Sequence, residues 1–465
     1  MPVPPESAVL TLLAYGMVVT FMALIMTRRL SPLTALVLVP VAFALLGGFR
    51  AELGPMMLEG IGKLAPTGVM LLFAILYFAI MIDAGLFEPF VARVVRLVQG
   101  DPVRVVAGSA ALALLVSLDG DGSTTYMITT AAMLPLYHRL QLRPLVLACV
   151  TMLASGVMNL LPWGGPTARA ASALGVPVDA VFLPMIPAMV VGALWVLFVA
   201  WRLGVAERAR LAGVTAAAGA APSPGDLAAD GRMDPGTDRA TEAGPTLAPH
   251  ASGWRAAANV ALTAALLAAL VLALLPLPVL FLLAFAVALV VNHPTLAAQK
   301  ALLHRHAGNV LAVVGLIFAA GAFVGILSGT KMVDAMAASV VALVPPALGP
   351  YLAPVTGVLS VPFTFFISND AFYFGVLPVL AKAGAAYGIS AEAMARASLV
   401  GQPVHLLSPL VPSTFLLVGL AGVEFDAHQR KTLGWALGAS AVLLLVALLA
   451  GVVPWRGAPI PAGMG

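Results

Sequence analysis

Charge is scarce in this chain. Its 465 residues include 24 Lys and Arg and 20 Asp and Glu, 9% in all, against roughly 25% in an ordinary soluble domain. With 61% apolar residues, so little polar cover excludes a soluble fold. A net charge of +4 makes no basic stripe, which excludes nucleic acid as a partner. Cysteine is nearly absent: Cys149 alone excludes an internal disulfide and a thiolate metal centre. Glycine and proline are plentiful, 44 and 36 residues, and they interrupt the apolar segments. The composition reads as an all-α polytopic membrane protein with broken helices.

A crossing takes about 20 apolar residues. Such runs lie near 8–27, 31–48, 66–84, 144–170, 178–201, 256–273, 275–292, 308–329, 393–421 and 432–454, which predicts about ten transmembrane helices. The first reads as a retained span, because no small-residue cleavage site follows it. The stretches 102–137 and 350–385 are too long for one crossing, and each is broken by a polar cluster. They are expected to be re-entrant hairpins, tolerated where the tip is buried in protein. The segments 86–98 and 331–344 have amphipathic spacing and read as interfacial helices. Arg and Lys favour one set of loops by about two to one, which places both termini outside an inner (plasma) membrane. Residues 207–253, rich in Ala, Gly, Pro and Asp, are expected to form a disordered cytoplasmic linker.

The two sides of that linker, 1–206 and 254–465, resemble each other at an offset of 246 residues. Asn159-Leu160-Leu161 faces His405-Leu406-Leu407, Pro166-Thr167 faces Pro412-Ser413, and Ser123 faces Asn369. Five crossings and one hairpin per half give the halves opposite topology. An inverted repeat with broken helices is the architecture of secondary transporters. A channel has no need of it.

Ionisable groups at the bilayer centre cost roughly 2.5–3.5 kcal/mol each, so those present need a reason. Inside apolar segments stand Asp83, Asp119, Asp121, Asp370, Arg169 and His405. The first tip reads Ser117-Leu118-Asp119-Gly120-Asp121-Gly122-Ser123-Thr124-Thr125. Its carboxylates and hydroxyls are hard oxygen ligands suited to Mg²⁺, Ca²⁺ or a proton, and a helix starting near Ser123 aims its positive end at an anion. An EF-hand is excluded, since Thr124 stands where glycine is required and Thr130 where glutamate closes the loop. The second tip, Ser368-Asn369-Asp370, suits carboxylate oxygens and cations alike. The broken spans run Asn159 to Thr167, including Gly164 and Gly165, and Gln402 to Thr414, including His405, Ser408 and Ser413. Their prolines remove helix donors and free carbonyls as ligands. Arg169 either holds a substrate carboxylate, neutralises an aspartate or snorkels outward. His405 either relays protons or is a satisfied helix histidine. Asp83 reads as a cap at the cytoplasmic interface. An intramembrane aspartyl protease is disfavoured, because Leu118 replaces the first glycine of its Gly-x-Gly-Asp motif.

The runs LYFAIMIDAGLFEPF (76–90), SLDGDGSTTYMITTAAMLPLY (117–137), LACVTMLASGVMNLLPWGGPTARAA (147–171), FISNDAFYFGVLPVL (366–380) and GQPVHLLSPLVPSTFLLVGLAGVEF (401–425) closely resemble the citrate–metal–proton symporters. These share a superfamily with the divalent-anion/sodium symporters. The resemblance implies import of citrate complexed with a divalent cation of the Mg²⁺ or Ca²⁺ class, coupled to protons, by a homodimer with a scaffold and a moving transport domain. A proton-coupled carrier of gluconate, a dicarboxylate or an exchanged ion on the same fold is the alternative. The family's tip motifs fall on Gly122-Ser123-Thr124 and Ser368-Asn369-Asp370, and its unwound segments on Asn159 to Thr167 and His405 to Ser413. The implied substrate-binding residues are Gly122, Ser123, Thr124, Asn159, Gly164, Gly165, Thr167, Arg169, Ser368, Asn369, His405, Ser408 and Ser413. The protons fall to Asp119, Asp121, Asp370 and His405, and the same three aspartates are the candidate metal ligands. Sodium-coupled relatives usually have Ser-Asn-Thr at both tips. This chain departs at both, which fits a proton- or metal-linked site.

Overall fold

The computed structural model describes residues 5–219 and 253–457, apart from Gln99, Ala273, Val344 and Pro346, and these contain helices and no strand. The first series is α1 (Pro5–Met26), α2 (Pro32–Leu46), α3 (Leu53–Asp83), α4 (Glu88–Leu97), α5 (Pro102–Val116), α6 (Gly122–Arg139), α7 (Pro144–Met158), α8 (Gly165–Leu174), α9 (Val178–Phe182) and α10 (Ile186–Gly219). The second is α11 (Gly253–Val271), α12 (Leu277–Asn292), α13 (Leu296–Gly329), α14 (Met332–Leu343), α15 (Leu352–Phe366), α16 (Leu377–Ala385), α17 (Ala391–Ser398), α18 (Gln402–His405), α19 (Pro412–Ala421) and α20 (Phe425–Leu449). Helix starts follow local chemistry. Proline sits in the first turn of α5, α7, α8 and α19, where a missing N–H costs nothing. The Ser31 and Ser390 hydroxyls accept backbone N–H groups at the starts of α2 and α17.

Seven helices among the described residues are long and apolar enough to cross a bilayer, beginning with Val9–Met26 and ending with Phe425–Leu449. The ten expected spans differ from these for physical reasons. The 144–170 and 393–421 stretches are broken into α7 and α8 and into α17, α18 and α19, because their prolines and glycines stop each helix. The helices α2 and α12 are only 15 and 16 residues long. Conversely α3 starts at Leu53, not near 66, and accommodates Pro66 within 31 residues.

The expected linker also begins too early. The helix α10 continues to Gly219, so 207–219 are helical, while 220–252 lie outside the described residues. Glu207 is fully buried. It accepts Nε of Arg143 at 2.5 Å and Nη2 of Arg210 at 2.9 Å, which pins α10 to the turn between α6 and α7. Nearby, Arg208 binds Asp101, the cap of α5, at 2.6 Å.

Two packing groups position the site. In one, α3 crosses α13 closely: a Cβ on Gly60 would strike the Gly321 carbonyl, and one on Gly325 would strike that of Met56. Helices α2 and α12 pack on this pair. In the other, α5, α6, α7, α10, α19 and α20 pack together, with α15, α17 and α18 beside them. Element boundaries recur 247 residues apart: Pro144 and Ala391 open α7 and α17, Gly165 and Pro412 open α8 and α19, and Gly175 and Gly422 close these with φ of +64° and +65°. That spacing is one residue longer than the 246 read from side-chain identities.

Candidate functional site

The first tip is made by its glycine and aspartates. After α5, Ser117–Asp119 form one 3-10 turn, and Gly120 takes φ +80°. A Cβ there would also lie 2.6 Å from Cδ1 of Trp163, so both backbone and space require glycine. Asp119 Oδ1 accepts the Asp121 N–H at 2.9 Å, while its Oδ2 is buried with no hydrogen-bond partner. Asp121 caps α6: Oδ1 accepts the Ser123 N–H at 2.9 Å, and Oδ2 accepts the Thr124 hydroxyl at 3.0 Å. Gly122 opens that helix, and the Ser413 hydroxyl lies 3.8 Å from the Cβ position Gly122 lacks.

The first break lies against this tip. Trp163 Nε1 donates to the Leu118 carbonyl at 2.9 Å, tying break to tip. The Thr167 hydroxyl closes the turn on the Leu160 carbonyl at 2.8 Å. A Cβ on Gly164 would lie 2.5 Å from the Asn159 carbonyl, and one on Gly165 would lie 2.5 Å from Nη1 of Arg169. Arg169 Nε donates to Asp370 Oδ1 at 2.6 Å. This contact is the pairing with an aspartate that one of the three readings of Arg169 expects.

At the second tip, Ile367 is extended (φ −120°), and the Ser368 hydroxyl accepts the Ala371 N–H at 3.2 Å. Ala371–Val376 then form a π-helical turn, a distortion that collects at functional sites. In the second break, His405 Nδ1 meets the Thr364 carbonyl at 2.6 Å, so Nδ1 carries the hydrogen. The Ser408 hydroxyl donates to the Phe365 carbonyl at 2.6 Å. The two breaks and the second tip are joined through Gln402. Its Oε1 accepts Nδ2 of Asn159 at 3.1 Å and of Asn369 at 3.4 Å, and its Nε2 donates to the Tyr373 hydroxyl at 2.9 Å.

A cavity of about 540 Å³ lies between the two packing groups. Asp119, Asp121, Ser123, Thr124, Gly165 and Arg169 form one wall, and apolar residues of α3 and α13 the other. Asp83, His306 and Asn309 rim it, with Asp83 paired to Arg305 at 3.0 Å and His306 at 3.4 Å. Gly122, Asn159, Gly164, Thr167, Ser368, Asn369, Asp370, His405, Ser408 and Ser413 do not line this cavity. Among the described residues no three His, Cys, Asp or Glu side chains converge as metal ligands. Asp370 is paired with Arg169, and the three aspartates do not converge on one point among the described residues.

A family model described as Citrate transporter matches residues 21–401. The chain belongs to the citrate transporter family. A Bacillus subtilis (strain 168) protein named "Citrate transporter" is 56% identical over 444 residues, 96% of this chain and 99% of its own. A second from that strain, named "Mg(2+)/citrate complex secondary transporter", is 48% identical over 449 residues with the same coverage. Among solved structures, the Alcanivorax borkumensis YdaH transporter superposes with a TM-score of 0.58 at 19% identity, covering 88% of each chain. Neisseria gonorrhoeae MtrF gives 0.53 at 15%, covering 89% of this chain and 87% of its own. These two likenesses show the fold, while the family match and the named relatives make the chain an integral, multi-pass membrane transporter.

Sequence reasoning gave no binding role to four residues of this candidate site. Gln402 sits in the GQPVH run, and an amide among prolines in an apolar stretch is the signal that marks it. Asp83 ends α3, and His306 and Asn309 stand at the edge of the apolar run predicted for 308–329, so all three look interfacial. Only the α3–α13 crossing brings them to the cavity.

Proposed function

We propose that this transporter imports citrate complexed with a divalent cation, driven by protons. The observation that carries this reading is the cavity wall, where hydroxyls, the N-terminal end of α6 and Arg169 stand beside two carboxylates. The relative named for the Mg²⁺–citrate complex supports the substrate form. Citrate with three charges and a divalent cation make a monoanion, far less costly to enclose than free citrate.

In this reading the Ser123 hydroxyl and the α6 N–H groups that Asp121 leaves free hold carboxylate oxygens, the Thr124 hydroxyl steadies Asp121, and Arg169 offers the terminal nitrogens that Asp370 leaves free. The cation travels as cargo. Asp119 carries the coupled proton, because its Oδ2 is a buried acceptor without a donor and a proton gives it one. Asp121 is spent on the helix cap, and His405 Nδ1 on a carbonyl. The Asn159–Gln402–Asn369 amides hold the two breaks and the second tip as one unit, and Trp163 ties the first tip to it. The reading includes a homodimer, an inverted repeat, external termini and a cytoplasmic connection between α10 and α11.

Uptake of labelled citrate into proteoliposomes, across a panel of divalent cations and with or without an inward proton gradient, tests it. Cation-dependent, gradient-driven accumulation is expected. Uptake indifferent to cation and to gradient would overturn it and favour another organic anion.

A further inference from the structure

We propose that Asp370 makes the transporter depend on the complexed form of its substrate, by cancelling the charge of Arg169 from behind the cavity wall. This rests on the reading that citrate enters with a divalent cation. Arg169 is the one arginine or lysine among the cavity-lining residues. Its Nε is held at 2.6 Å by Asp370, which is not part of the lining. Nη1 lies over Gly165, which is. The guanidinium therefore faces the substrate with its outer nitrogens while a carboxylate sits on its inner edge.

The remaining charges decide what such a site accepts. Asp83 on the rim is paired with Arg305 and His306. Among the described ion pairs none involves Asp121 or Asp119. Around Asp370, His405 on α18 is the other charge-bearing side chain whose field reaches the pair, and α1 contributes apolar Val18 and Met22 beside Gly375. With Arg169 cancelled, the polar wall carries the uncompensated charge of Asp121, and of Asp119 whenever it is ionised. Such a wall repels a bare tricarboxylate and tolerates one whose carboxylates are already neutralised by a cation. Removing the Asp370 charge returns a full cation to the wall and relaxes that discrimination.

Calorimetric titration of the purified full-length transporter tests this, with citrate added either in excess Mg²⁺ or in a chelator that strips the metal. Wild type is expected to prefer the complex. Asp370→Asn and Asp370→Ser are expected to gain binding of free citrate, so that the ratio of the two Kd values shrinks at least tenfold. Adding Arg169→Gln to Asp370→Asn is expected to remove the gain, and Asp370→Glu to show none. A gain of binding cannot come from a misfolded protein. If wild type prefers the complex and neither neutral variant gains free-citrate binding, this inference falls alone. If wild type shows no preference for the complex, the substrate reading falls and takes it along.

Discussion

Asp121 separates two roles that a single carboxylate can play at a membrane tip. Its Oδ1 accepts the Ser123 N–H at 2.9 Å and its Oδ2 the Thr124 hydroxyl at 3.0 Å. Asparagine caps helices about as well as aspartate, whereas alanine loses about 1 kcal/mol at the backbone N–H. The hydroxyl bond adds a loss of about 1 kcal/mol. Asp121→Ala is therefore expected to weaken the tip by about 2 kcal/mol, which raises the open fraction of the first turn of α6 roughly 30-fold. Asp121→Asn keeps the N–H bond through its carbonyl oxygen and changes that fraction only a few-fold. Amide hydrogen exchange of a peptide covering 117–126, read by mass spectrometry, measures the difference directly. Uptake assays on the same preparations report function. Equal exchange in the two variants refutes the cap reasoning. Normal exchange but lost proton-driven uptake in Asp121→Asn moves the coupled proton from Asp119 to Asp121.

Further outcomes follow from other contacts. Arg169→Gln strands the Asp370 carboxylate, which is only 14% exposed; unfolding in detergent should show a loss of about 3 kcal/mol, partly recovered when Asp370→Asn is added. Gly60→Val forces α3 away from the Gly321 backbone and should lower the melting temperature sharply. Gly62→Ala, with open space around it, should change stability by less than about 0.5 kcal/mol. The hydrogen bond from Arg208 holds the Asp101 carboxyl, just outside the apolar span, below its ordinary value of 3.8. Its contribution to docking α10 is present above that value and lost as pH falls through the lower folded one. Hydrogen exchange at 101–105 should rise over that range, and Asp101→Asn should flatten the response.

The parts legible in the sequence are those set by neighbours along the chain. Prolines and glycines marked both breaks, and the Gly120–Asp121 pair marked the turn and cap, because each acts within a few residues. What stayed hidden depends on residues far apart. Arg169 and Asp370 lie 201 positions apart, and Asp83 and Arg305 lie 222 apart. Nothing local says that either pair meets. Residues 207–213 look like linker by composition, yet Arg143 and Arg210 bury the Glu207 carboxylate and draw the helix onward. The role of Gln402 stays hidden because its partners, Asn159 and Asn369, stand on two other segments.

The indole of Trp163 gives the cavity an optical reporter of its own. Of the chain's six tryptophans it alone lines the cavity, held on the Leu118 carbonyl and flanked by Phe78 and Phe281 at centroid distances of 5.3 and 4.9 Å. An anion or cation settling beside it changes the field across a ring that cannot turn away. A protein keeping this tryptophan and carrying phenylalanine at the other five would signal occupancy through its native emission, without a label, during turnover.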